Sequence, residues 1–245
     1  MTLSIAVVCE APADQRSGCT LADRVICDQI VWIESDMLDH LRRWRGFRSH
    51  DPHLLWKEVP SLAKQLGISA RGYFDGRPGA LEAGAVRRAL LVLLASSDRV
   101  DAIMLLRDDD GETGWRTGFE QARETVKTVA PVIIGLAHAK RECWVLAAFE
   151  PRNEPERAIL AELRCLGFDP RERAEELTAK HDHDKRSAKR VLARITAGNV
   201  DHEDECCRTA DLGALRARGR HTGLAAFLDE VRQGLVPLFT LTSPT

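Results

Sequence analysis

Aromatic residues are scarce in this 245-residue chain, 5% in all with a single tyrosine, and neither sign of charge is in excess. So few rings argue against a surface that binds nucleic acid by stacking base after base. With 35 basic and 37 acidic residues, the formal net charge of -2 supplies no global attraction for polyanions. Phosphate binding would have to come from local basic patches or from bound metal. No apolar run approaches the roughly 18 residues of a membrane span. The opening "MTLSIAVVCEAP" has neither a basic region nor an apolar stretch long enough for a signal peptide. Seven cysteines occur without a framework spacing, so the expected setting is reducing and cytoplasmic, with no membrane. Also missing is any Gly-x-x-x-x-Gly-Lys-Ser/Thr loop of the kind that cradles nucleotide phosphates.

What is present suits a folded α/β protein. Hydrophobic residues make up 44% of the chain, enough for one large domain or one domain with a helical addition. "LSIAVVCE" reads as a buried first strand that ends in Glu10 and is broken by "APAD". A helix is expected from Thr20, with Thr20 as N-cap and Asp23 completing a capping-box variant. "DMLDHLRRWRGF" and "SLAKQLG" read as short helices, and "LEAGAVRRALLVLLASS" as a long one. "VDAIMLLR" and "APVIIGLAH" are further strands, apolar on both faces. Helices are expected between them around "GWRTGFEQARETVKTV" and after them from "AKRECWVLAAF". This alternation predicts an α/β fold with a parallel-rich sheet flanked by helices. Beyond Glu154 the pattern is helical throughout, including "DECCRTADLGALRARG" and "GLAAFLDEVRQGLVPLF". The expected organisation is a sheet domain over 1–150 and a helical C-terminal extension over 151–245, packed on it.

The sequence "DAIMLLRDDDGE" runs a core strand straight into three aspartates. Carboxylates at such a place need compensation for lost hydration, and a hard divalent cation supplies it, with Asp108 and Asp110 facing one ion across Asp109. A solvated acidic turn is the other reading of this stretch. In parallel sheets ligands collect at the carboxyl ends of strands, where Glu10, the aspartates and the residues after Gly135 all arrive.

Glu10 at the end of "IAVVCE", "LLRDDDG" about a hundred residues later, and "RECWVLAAFEP" together resemble the signature of the TOPRIM family. This family is shared by topoisomerases, bacterial primases and OLD-type nucleases. The likeness is to the small stand-alone TOPRIM proteins and covers roughly residues 1–150. It implies a metal-dependent nuclease acting on DNA, with Glu10, Asp108, Asp110 and Glu142 holding Mg²⁺ (or Mn²⁺), Glu10 also serving as general base. The chain departs from that pattern at Ala11 and Pro12, where a glycine usually follows the glutamate, and at Ala147, Ala148 and Phe149. The resemblance further implies an effector of antiviral defence partnered by an ABC-type ATPase on a separate chain, or a homo-oligomer. The alternative is a non-catalytic regulatory or nucleic-acid-binding subunit of such an ATPase complex.

Because Tyr73 is the only tyrosine and falls in "RGYFDGRPG", hydrolysis by water is expected rather than attack by a tyrosine. Lys185 and Lys189, four apart on one helical face, are candidates for offsetting charge in the transition state, with Arg141 behind them. A solvated face is the bland reading. His181, His183, His202 and Cys206 belong to zinc-binding residue types, but their spacing matches no standard finger. His138 is either a metal ligand, a proton carrier or a satisfied strand-end histidine. Trp144 is expected in the core.

Overall fold

The computed structural model describes residues 2–240, apart from 71, 75, 113 and 180. Strand β1 (Leu3–Cys9) is buried at every residue but Ser4, as a central parallel strand of apolar and β-branched residues should be. Helix α1 (Pro12–Gln29) begins almost at once. It starts well before the expected N-cap at Thr20. Pro12 occupies the first turn, where its missing N–H costs nothing, and the Asp14 carboxylate accepts from the backbone of Glu10 (3.1 Å) and Ala11 (2.7 Å).

The stretch read as a short helix, "DMLDHLRRWRGF", is only one turn of helix, α2 (Leu38–Leu41), and then strand β2 (Arg42–Arg45). Tertiary contacts override the helical pattern here. Arg42 makes two hydrogen bonds to Asp23 (2.8 and 2.7 Å). Arg45, fully buried, donates to Ser4 Oγ and to the carbonyls of Gly46, Phe47, Asp98 and Arg99. Strand β3 (Leu54–Leu55), helix α3 (Val59–Gln65) and a small antiparallel hairpin, β4 (Tyr73–Phe74) with β5 (Arg77–Pro78), lead to α4 (Ala83–Leu94). Next come β6 (Ala102–Asp108), α5 (Trp115–Glu124), β7 (Val132–Ala137) and α6 (Glu142–Ala148).

The rest is helical: α7 (Glu154–Leu163), α8 (Ala188–Thr196), α9 (Val200–Thr209), α10 (Leu212–Arg218), α11 (Leu224–Gly234) and α12 (Val236–Thr240). "DECCRTADLGALRARG" is two helices rather than one, because the Asp211 side chain caps α10 by accepting from Ala214 (2.8 Å). No helix among the described residues is long and apolar enough to cross a membrane.

The main sheet is parallel throughout, in the order β2-β1-β6-β7, with β3 continuing the β2 edge at the far end of β1. Alternation along the strands splits the apolar residues between two faces. Val8, Ile103, Leu105 and Ile134 pack with α3, α4 and α5. Val7, Met104, Leu106 and Ile133 pack with α1 and with the C-terminal helices. The core therefore runs unbroken across residue 150: α11 lies against β7, where the ring of Phe227 comes so near Gly135 that a Cβ there would stand 2.9 Å away. Trp144, buried as expected, stacks on Phe227 at 4.9 Å and donates to the Thr222 carbonyl.

Candidate active site at the carboxyl edge of the sheet

Register decides which side chains meet. Val8 pairs with Leu105 and Asp108 with Ala137, so the chain leaves β1 at Glu10, β6 at Asp108 and β7 at His138 along one edge. The cavity there, about 240 Å³, is lined by the acids Glu10, Asp14, Asp108 and Glu142, by Lys140, Arg141 and Lys189, and by Asp182 at the start of the turn before α8. Three of the expected acids thus share one recess. Asp110 does not line it. Its backbone adopts φ +49° in the turn after β6, and its exposed carboxylate accepts from Lys140 Nζ (2.6 Å). Asp108 and Asp110 therefore do not line the same recess, and Asp14 joins Glu10, Asp108 and Glu142 there in place of Asp110.

Asp108 accepts from the backbone N–H of Arg141 (2.8 Å), the N-cap of α6. Burial pushes its carboxyl up to about 8, and the negative charges of Asp14, Glu142 and Glu10 add to that against Lys140. Burial also raises Glu10, opposed by Arg107, and Asp14, opposed by the two N–H groups it accepts from and by Arg141. Lys140 loses hydration, but its pairing with Asp110 holds it above the usual lysine range. The acids are held apart by cations: Glu10 by Arg107 (3.2 Å), and Glu142 by Arg141 (3.6 Å), whose guanidinium also reaches Glu203 (3.1 Å) on α9 and Ser17 Oγ (3.1 Å) on α1. Among the described residues no three His, Cys, Asp or Glu side chains stand in an arrangement that would grip a metal ion as they are now placed.

The two lysines are separated by the fold. Lys189 is the second residue of α8 and lines the cavity, pairing with Asp182 (2.7 Å). Lys185 precedes the helix in an exposed turn, because Ser187 caps α8 through the Arg190 N–H. The expected shared helical face does not exist. His138 is half-exposed, with Nδ1 3.2 Å from Asp109 Oδ2, and does not line the cavity. His181 and His183 stack on each other at the surface, while His202 and Cys206 are buried on α9, His202 against Phe149. Burial pushes the Cys206 thiol up to about 12, so it stays protonated at neutral pH.

Asp14 carries a sequence signal that points elsewhere. An acid two residues after a proline marks a helix start, and its second use appears only once α1 folds back over the sheet edge. Tested against protein-family models, curated proteins and solved structures, the chain matches none of them.

Proposed function

We propose that this cavity binds a divalent cation, Mg²⁺ or Mn²⁺, and hydrolyses phosphodiester bonds of DNA. The observation that carries the reading is the convergence of Glu10, Asp14, Asp108 and Glu142 on one small recess, with Asp108 driven up to about 8 by burial and by its acidic neighbours. Several carboxylates gathered at a half-buried edge are costly even where arginines partner some of them, and an all-oxygen donor set is what a hard cation takes. Asp108, Glu10 and Glu142 would hold it, with Asp14 beside them. When bound, it would supply Lewis-acid stabilisation of a phosphoryl oxygen and an acidified water.

The chain's own groups do the rest. Lys189 and Lys140 on the rim offset the charge of a phosphate. Arg141 spans α6, α1 and α9 and keeps Glu142 and the α6 N-terminus in place, so Asp108 is held by a backbone N–H that cannot drift. The resemblance of the Glu10 and Asp-x-Asp segments to the TOPRIM family supports the same chemistry. It also supports partnership with an ATPase on another chain, since this one has no phosphate-binding loop of its own.

A second reading is favoured by one observation. As the side chains stand, no three donors among the described residues grip a common point. This suits a subunit that binds nucleic-acid phosphate through Lys140 and Lys189 without cutting it. One experiment separates the two: plasmid and single-stranded DNA incubated with the purified chain, alone and with its co-purifying partner, in Mg²⁺, Mn²⁺ or EDTA. Cleavage is expected with the metals and not with EDTA. Asp108→Asn is expected to lower it by more than about 100-fold, beyond the 10–100-fold typical of residues that only orient a ligand. Cleavage that survives EDTA or Asp108→Asn undiminished overturns the catalytic reading, and DNA binding without cleavage selects the second.

A further inference from the structure

Among the acids lining the cavity, Glu10 is tied to a cation that is itself immobilised. Arg107 Nε donates to Glu10 Oε1 (3.2 Å) and Nη1 donates to Glu82 Oε2 (2.6 Å). The guanidinium carbon lies 4.2 Å from the ring centre of Trp115 and 5.2 Å from that of Trp56. Trp56 is anchored in turn, its Nε1 donating to the Leu106 carbonyl next door (2.9 Å). Glu82 is set by its backbone, at φ +66°, a left-handed conformation that a residue with a side chain holds only where its surroundings fix it. Its neighbour Leu81 is pressed against Gly118 of α5, where a Cβ would stand 1.8 Å from the Leu81 carbonyl oxygen. Two acids, two rings and a constrained turn therefore fix one guanidinium beside Glu10.

We propose that Arg107 is a latch on Glu10, a positioning residue that keeps the Glu10 carboxylate out of the cation-binding set until an entering cation displaces it. This rests on the reading of the cavity as a divalent-cation site. Together with the hold of Arg141 on Glu142, it accounts for the acids sharing a recess without gripping a point. Arginine stays charged at any physiological pH and presents its donors in a fixed fork, so it competes for the carboxylate continuously. A cation must exchange one partner of Glu10 for another, and its apparent affinity falls by the fraction of time that Glu10 is engaged.

The test is Mn²⁺ binding to the full chain by calorimetry and by electron paramagnetic resonance, in a double-mutant cycle of Arg107→Gln and Glu10→Gln. Arg107→Gln is expected to tighten Mn²⁺ binding about 10-fold, the order expected for release of one engaged ligand. In the Glu10→Gln background the same change is expected to do almost nothing. Equal tightening in both backgrounds means that Arg107 acts only as a distant charge, and overturns the latch. Unchanged or weaker binding in folded Arg107→Gln overturns it as well. Circular dichroism checks the fold, and should Arg107→Gln fail to fold, Arg107→Lys carries the same cycle, keeping the charge while losing the fork. If neither the wild type nor any variant binds Mn²⁺ and Asp108→Asn makes no difference, the cation-site reading fails and the latch with it. Asp108-dependent binding without the Glu10-dependent step overturns the latch alone.

Discussion

At Asp108 two effects contend for one proton. In an unfolded chain this carboxyl titrates near 3.8, whereas in the fold it is pushed up to about 8. Above the lower value the unfolded chain has released a proton that the folded chain still holds, so the folded state binds more protons and stability falls as pH rises through this window. The favourable contribution is complete below the unfolded pKa and is lost as pH approaches 8. At about 1.36 kcal/mol per unit the whole span would be worth about 5–6 kcal/mol, an upper limit because Asp14, Glu142 and Glu10 share the repulsion and can turn outward. In EDTA, Asp108→Asn is expected to be more stable than the wild type by about 1–2 kcal/mol at pH 8, with the difference shrinking toward pH 4. Urea unfolding at both pH values reads it, and a pH-independent difference would remove the burial and repulsion assigned to Asp108. Saturating Mg²⁺ is expected to stabilise the wild type and not the variant. Glu10 and Asp108 were legible because an acid that ends an apolar strand has few cheap explanations. Asp14 was not, since its capping role fully accounts for it in sequence. Asp110 misled because spacing along a chain says nothing about a backbone that turns left-handed after the strand.

At the scale of elements, the strands of "LSIAVVC", "AIMLLRD" and "VIIGLA" were legible because a parallel strand covered on both faces is apolar along its whole length. β2 was not, because "RRWR" owes its place to partners far away in sequence, Asp23 for Arg42 and the carbonyls of Asp98 and Arg99 for Arg45. The first turn of α1 hid behind Pro12, which breaks a strand and opens a helix equally well. Packing can also reverse a propensity, and α5 provides a test. On helix propensity alone Gly118→Ala would stabilise by about 1 kcal/mol. The added Cβ would stand 1.8 Å from Leu81 O and 2.9 Å from Ala83 N, both backbone atoms that cannot rotate away. The clash is expected to win, with a net loss of about 2 kcal/mol or more by chemical denaturation. Gly84→Ala, in α4, would meet nothing nearer than Gly72 Cα at 3.5 Å and is expected to be neutral or mildly stabilising. Equal effects at the two glycines would show that Leu81 and Glu82 are not pinned by α5.

For the molecule as a whole, the question is whether residues 1–150 hold together without the C-terminal helices. Their sequence reads as a complete alternating unit, and from periodicity alone α7 to α12 look like an addition. The packing joins them closely to the sheet. One face of the sheet is closed by α11 as well as α1, with Phe227, Leu228 and Val231 fully buried. Trp144 loses its stacked partner and its carbonyl acceptor if residues 222–227 are removed. Arg116 and Arg123 both pair with Glu230, and Arg141 reaches Glu203, so cations of the first part would be left beside empty space. Periodicity could not reveal this, because an amphipathic helix shows that it has a buried face without showing what buries it. Residues 1–150 expressed alone are therefore expected to lack a cooperative thermal transition and to bind a hydrophobic dye. The full chain is expected to unfold in one step, with far-ultraviolet dichroism and tryptophan fluorescence coincident, because Trp56 and Trp144 report from opposite faces of one sheet. A fragment that melts cooperatively with native-like secondary structure would make the helical third a dispensable addition, and would leave the cavity lined by Lys189 only when that addition is present.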